Sequence, residues 1–285
     1  MAPSDDTLDA LRRAIDSVDD AMHDLLMKRA ALSERVRAAK GVAVSHVFRP
    51  GREAAILQRL VARHTGTLPP AVVAQVWREI IAASVRLQTS FEIAVYAPRT
   101  KPHVLDLARA HFGALTPIGP VSAPGAVLAA LAEGRAQAGV LPLPEDVPDE
   151  PWWRDLGIGA GKGLRILARI PVVTTEPAQG ALVIGPQPFD RAGDDRGYLV
   201  VEAEQAIDRA GLARALKAVD LRPIGIAAQV AGPAGAVLVE TQDYVAPDDP
   251  RLGRLVAETR GAATTARAIG GYAVPVAPGG GRRPT

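Results

Sequence analysis

Residues 5–40, DDTLDALRRAIDSVDDAMHDLLMKRAALSERVRAAK, decide the fold of the first third of the chain. The apolar positions Leu8, Leu11, Ile15, Val18, Met22, Leu25, Leu26, Leu32 and Val36 advance by three or four, the spacing of one helix face. Gly41 stops the pattern. At ~1.5 Å per residue this helix is about 50 Å long. A domain of about 90 residues is only roughly 25–30 Å across. The helix must overhang, and an overhanging apolar stripe needs a partner, so the spacing predicts an intertwined homodimer.

Two shorter helices follow. The second runs over 51–64. The third begins after Gly66-Thr67-Leu68 with Pro69 and Pro70 in its first turn, where their missing N–H groups cost nothing, and continues to about Phe91. Ile93-Ala94-Val95-Tyr96 then reads as a strand. Glycine and proline mark the same boundary: residues 1–92 hold 7 of them and the remaining 193 residues hold 44. Both residues are excluded from helix interiors. The expected architecture is therefore a multidomain α plus α/β chain, all-helical over 1–92 and rich in turns beyond it.

Composition removes several classes of function. The chain has 285 residues, 48% of them hydrophobic, which is ample for real cores. It contains no cysteine, so thiol nucleophiles, disulfides and Cys-based metal centres are excluded. Lys and Arg number 33 against 31 Asp and Glu, a formal charge of only +2 that suggests no nucleic-acid partner. No apolar run approaches the ~20 residues of a membrane span. The first 24 residues carry seven acids and no unbroken apolar segment, so no secretory signal is read and a cytoplasmic protein is expected. His23, His46, His64, His103 and His111 show no ligand spacing. No metal and no cofactor are expected.

Polar residues punctuate the helical stripes. Arg29 lies among Leu25, Leu26 and Leu32, and Lys40 follows three turns later on the same face. Ser84 and Gln88 are i,i+4 neighbours on the third helix, flanked by Ile80, Ile81, Val85 and Leu87. Arg52 and Glu53 open the second helix. A half-buried cation is costly without a counter-charge. Taken singly, each of these residues reads as surface charge on a long stem. As a set with few matching acids, they point to an anionic ligand.

With these residues in place, residues 8–90 resemble the all-helical, AroQ-type chorismate mutases. The resemblance rests on Leu8-Asp9-Ala10-Leu11-Arg12, Ile15-Asp16, Val18-Asp19, Leu25-Leu26-Met27-Lys28-Arg29, Val36-Arg37-Ala38-Ala39-Lys40, Arg52-Glu53, and Ile80-Ile81-Ala82-Ala83-Ser84-Val85-Arg86-Leu87-Gln88. It implies that Arg29 and Arg52 bind the substrate carboxylates, with Ser84 in support. Arg12 would reach across the dimer into the partner's site. Lys40 and Gln88 would face the ether oxygen, and Glu53 would hold the ring hydroxyl. The family usually carries an acid four residues before the helix-two Glu; here that position is Arg49. The implied reaction, chorismate to prephenate, is a unimolecular [3,3] rearrangement. It needs no nucleophile, metal or redox group, only paired cations to fold the dianion and donors at the ether oxygen as charge grows there.

Residues 93–185 resemble the opening lobe of a prephenate dehydratase, through Ala97-Pro98 after the first strand and Gly139-Val140-Leu141-Pro142-Leu143 before an acidic residue. Where that family's signature has Thr-Arg-Phe, this chain has Gln179-Gly180-Ala181. Most of a second lobe is missing, so dehydratase activity is not expected. Residues 197–276 resemble a divergent ACT domain of βαββαβ order, with an Asp248-Asp249-Pro250 helix cap and a Gly270-Gly271-Tyr272 ending. That implies an aromatic amino acid as a candidate effector, although the family's Glu-Ser-Arg-Pro segment is replaced around Ile226-Ala227-Ala228-Gln229. Gly157–Gly163 lacks the order of a phosphate loop. Pro151-Trp152-Trp153 reads as a hydrophobic plug. The tail, 277–285, is expected to be disordered. Two alternatives stand beside a mutase: an isochorismate–pyruvate lyase of the same fold, and a non-catalytic subunit that senses aromatic metabolites.

Overall fold

The computed structural model describes residues 7–40, 47–159, 161–174, 176, 178–204, 208–230 and 235–277. The Gly41 stop and, from 278 on, the expected tail lie outside them. The chain divides into two compact units, residues 1–47 with 83–90, and residues 48–82 with 91–285.

The first unit is built on α1 (Leu8–Lys40), one unbroken helix of 33 residues, as its apolar spacing requires. Among the described residues its stripe has no cover: Leu8, Ile15, Val18 and Leu25 are each between 58% and 65% exposed. The unit also takes in the last turn of α3 (Pro70–Arg86) and the residues to Ser90. The third helix thus stops five residues short of the expected Phe91.

The second unit opens with α2 (Pro50–Ala62), which starts on a proline whose fixed φ suits a first turn. Its inner face, Ala54 and Leu57, packs with Ala74 of α3 against Val172 and Ala273. Phe48, Phe91 and Phe112 form a ring cluster with centroids 5.3 to 6.1 Å apart. There follow β1 (Ile93–Tyr96), α4 (His103–Phe112), β2 (Ile118–Val121), α5 (Pro124–Ala132), β3 (Ala138–Pro142), β4 (Arg165–Ile170) and β5 (Ala181–Gly185). Strands β2, β1 and β3 are parallel, and β5 lies antiparallel between β3 and β4.

The remainder, β6 (Asp195–Ala203), α6 (Arg209–Ala218), β7 (Pro223–Val230), β8 (Gly235–Thr241), α7 (Pro250–Glu258) and β9 (Thr265–Ala273), has the βαββαβ order read from the sequence. Asp208 and Asp249 cap the two helices by accepting backbone N–H groups. Helices α6 and α7 cover one face of the strands through Leu212, Leu216, Leu252 and Leu255.

The sequence suggests two separate α/β modules. The structure joins them in one nine-stranded sheet, β2-β1-β3-β5-β4-β9-β6-β8-β7. The join is the parallel pairing of Ile166 with Gly270. Gly270 has φ +112°, and a Cβ there would collide with the Ile166 backbone, so this seam requires glycine. Trp152 and Trp153 are buried in the core that runs under both parts, together with Tyr198, Leu238 and Tyr272. Among the described residues no helix is long and apolar enough to cross a membrane, and no cluster of His, Asp and Glu could hold a metal ion.

Candidate active site

In the first unit the structure brings Arg29, Ser84 and Gln88 together. Arg29 is half-buried on α1, and its Nη1 donates to Ser84 Oγ at 2.5 Å. Ser33 Oγ donates to the Arg29 carbonyl at 3.1 Å, back-bonding along α1. Gln88 Nε2 donates to the Ser84 carbonyl at 2.8 Å. An amide carries two N–H donors and an acceptor oxygen, so this bond leaves Gln88 capacity for a ligand. Burial pulls the Arg29 guanidinium below its ordinary range. At neutral pH it stays charged but poorly hydrated, a state that a ligand carboxylate relieves.

Two further predicted residues lie on α1. Arg12 is largely exposed, with its Nη1 3.4 Å from Asp9 Oδ1. Lys40 ends the helix, and its side chain lies outside what the structure describes.

Arg52 and Glu53 belong to the second unit, in the first turn of α2. Arg49 occupies the N-cap position, where an arginine can accept no N–H bond. A distant residue supplies the acceptor. Asp190 Oδ2 accepts the Arg52 backbone N–H at 2.9 Å, and Asp190 Oδ1 accepts from Arg49 Nη2 at 2.8 Å. The Asp190 backbone approaches so closely that a Cβ on Gly51 would strike its carbonyl oxygen. The unusual Arg49 is thus half of a clamp whose other half lies about 140 residues away. Asp190→Ala removes a helix cap and leaves a cation on the positive end of the helix dipole. It should cost about 1–2 kcal/mol of stability, read by urea unfolding.

Glu53 is buried and accepts from Arg78 Nη2 at 2.9 Å. Arg78 Nε in turn donates to the His111 carbonyl at 2.7 Å. Burial pushes the Glu53 carboxyl up, and the charge and hydrogen bond of Arg78 oppose it without cancelling it. Burial also holds the His111 ring well below its usual value, with Arg78's charge adding to the effect. The sequence reading singled out neither Arg78 nor Asp190. The available signal was electrostatic: Glu53 sits among the inward positions of α2, and a buried acid requires a cation.

Comparison with known proteins agrees with the helical part. Residues 11–89 match the family model described as chorismate mutase type II. The bifunctional chorismate mutase/prephenate dehydratase of Pseudomonas aeruginosa is 32% identical over 143 residues, 48% of this chain and 39% of that protein. The protein of the same description from Aquifex aeolicus is 29% identical over 141 residues, 48% of this chain and 38% of that one. Both matched stretches are longer than residues 11–89 and so reach outside them. The chain spans about two fifths of the length of these curated relatives. A solved prephenate dehydratase from Arthrobacter aurescens, in complex with L-Phe, superposes with a TM-score of 0.44 at 12% identity, covering 64% of this chain and 90% of that one. The N-terminal helices are a type II chorismate mutase domain, and a prephenate-dehydratase-like α/β region follows them.

Proposed function

We propose that this chain, built on a chorismate mutase domain, rearranges chorismate to prephenate. The observation that carries the reading is the half-buried Arg29 bonded to Ser84, with Gln88 one turn beyond. A cation held by a neutral hydroxyl is preorganised for a carboxylate, and an amide beside it suits an oxygen that gains charge as its C–O bond breaks. Arg52 and Glu53 are proposed for the carboxylate and the ring hydroxyl, and Lys40 for the ether oxygen.

The active form is a homodimer on this reading. The exposed α1 stripe supports it, since so long an apolar face is not left to water. Arg12, exposed on the same helix, would then serve the partner's site. Ile15→Asp with Leu25→Asp should convert a dimer into a monomer by sedimentation equilibrium, each side chain withdrawing roughly 1.5–3 kcal/mol of burial. A monomeric parent chain would contradict the reading.

The α/β region is proposed to lack dehydratase activity, on the replacement of Thr-Arg-Phe by Gln179-Gly180-Ala181. The test is one incubation with chorismate, followed by its ultraviolet absorbance and by product analysis. Prephenate should accumulate without passing on to phenylpyruvate. A second reading, binding without turnover, is favoured by the burial of Glu53 against Arg78. Saturable chorismate binding with no product would select it. Release of pyruvate would select a lyase of the same fold.

A further inference from the structure

The connection from β5 to β6 holds the residue that sets the start of α2, and it is itself pinned on both sides of Asp190. Before it, Phe189 stacks on Tyr244, with ring centroids 4.2 Å apart and planes 12° from parallel. After it, buried Asp195, which opens β6, accepts the backbone N–H groups of Ala192 at 3.0 Å and Gly193 at 3.1 Å. Asp190 then engages the first turn of α2 at three points. These are the Arg52 N–H, the Arg49 guanidinium, and a backbone contact with Gly51 too close to admit a side chain. The body of the helix has a separate seat. Leu57 packs with Val172 and Ala273, and Gln58 Nε2 donates to the Val274 carbonyl at 3.1 Å. Glu53 is held by Arg78. Arg52 has no comparable hold: its side chain is exposed, and Asp190 takes it by the backbone.

On the mutase reading, which this inference requires, we propose that Asp190 is a positioning residue for chorismate. By fixing the first turn of α2 it sets the direction in which Arg52 is offered to a substrate carboxylate, without touching substrate itself. Without Asp190 the first N–H groups of α2 lose their acceptor and turn to water. Arg49 is then left as a lone cation at the positive end of the helix dipole, which pushes the same turn apart. An arginine on a frayed turn samples several positions, and a misplacement of about 1 Å is enough to cost a large factor in rate. The carboxylate that Arg52 would bind keeps its charge throughout the rearrangement, so the loss falls on KM rather than kcat. A merely structural role has a different signature. A less stable chain has fewer active molecules, which lowers the apparent kcat and leaves KM alone.

Steady-state kinetics with chorismate on the full chain would compare the parent with Asp190→Ala, Asp190→Asn and Arg49→Asp/Asp190→Ala. Asp190→Ala should raise KM about tenfold and leave kcat within about twofold of the parent. Asp190→Asn keeps an acceptor for the Arg52 N–H and loses the charge opposite Arg49, so its KM should rise only about threefold. The double variant returns an acid to the N-cap position itself, and its KM should fall back to within about threefold of the parent. A parent without turnover overturns the mutase reading and this inference together. An active parent whose KM is unchanged by Asp190→Ala, or whose kcat alone falls, overturns only the inference. A raised KM that the double variant fails to lower does the same, because the effect then does not pass through the turn. Should Asp190→Ala not fold, Asp190→Asn decides, and an unchanged KM there overturns the role.

Discussion

Arg29→Ala should lower kcat/KM for chorismate by roughly 10²–10³-fold, and Gln88→Ala should lower it by a comparable factor with a different signature. Arg29, the proposed carboxylate partner, is already partly stripped of water and held by Ser84. The carboxylates it would bind keep their charge throughout the rearrangement. Its loss therefore weakens ground state and transition state together and shows chiefly as a raised KM. Gln88 is proposed to meet an oxygen that becomes negative only as the bond breaks, so its loss should appear in kcat with KM little changed. Steady-state rates from the fall in chorismate absorbance separate the two. Arg29→Lys should recover only part of the activity, since an ammonium cannot present the planar pair of donors. Equal effects on kcat and KM in both variants, or rates within twofold of the parent, would remove these residues from the site.

What the sequence made legible follows from the range over which each signal acts. Helix α1 was readable because nine apolar residues at helical spacing leave no strand alternative. The capping of α7 by Asp249 ahead of Pro250 was readable because a cap is a contact within four residues. Strand β2 was not read. Ile118-Gly119-Pro120-Val121 carries the two residues that most oppose a strand, and it exists because it is the sheet edge, where a proline need donate no ladder bond. The single sheet was hidden as well, since it depends on one pairing, Ile166 with Gly270, between segments about a hundred residues apart.

The candidate site divides along the same line. Arg29, Ser84 and Gln88 announce themselves through stripe position and i,i+4 spacing. Arg78 and Asp190 act on α2 from elsewhere in the chain, and nothing local distinguishes them from surface charge. Residues that hold the first turn of α2 in place are therefore harder to find from sequence than those proposed to face the ligand. Here both of the missed ones are charges that answer a charge or a bare helix end.

Arg78→Ala should be the most destabilising of the substitutions considered, by about 3–5 kcal/mol near neutral pH. It strands the Glu53 carboxylate in an apolar interior and removes the donor to the His111 carbonyl. The pH dependence has a definite sign. Burial already places the Glu53 pKa above its unfolded value, so between the two the native state holds a proton that the unfolded state has lost. Stability from this group is then greatest in acid and falls as pH rises through that window. Removing Arg78 takes away the pull that lowers the pKa, so the window extends upward and the deficit grows with pH. His111 acts in the same direction: without the nearby guanidinium its ring protonates more easily, and the variant loses less than the parent as pH falls. The variants Glu53→Gln and Glu53→Gln/Arg78→Ala separate the two groups, because a neutral amide removes the Glu53 titration and leaves that of His111. Glu53→Gln alone should be mild in stability, since a neutral side chain costs less to bury than a carboxylate. The double variant should recover much of what Arg78→Ala loses. Urea unfolding at several pH values reads all three. A loss after Arg78→Ala that is small, or that shrinks as pH rises, would show that the carboxylate is not stranded. Turnover by Glu53→Gln then separates roles: a fold kept with activity lost assigns Glu53 to the substrate, and activity kept assigns it to the core.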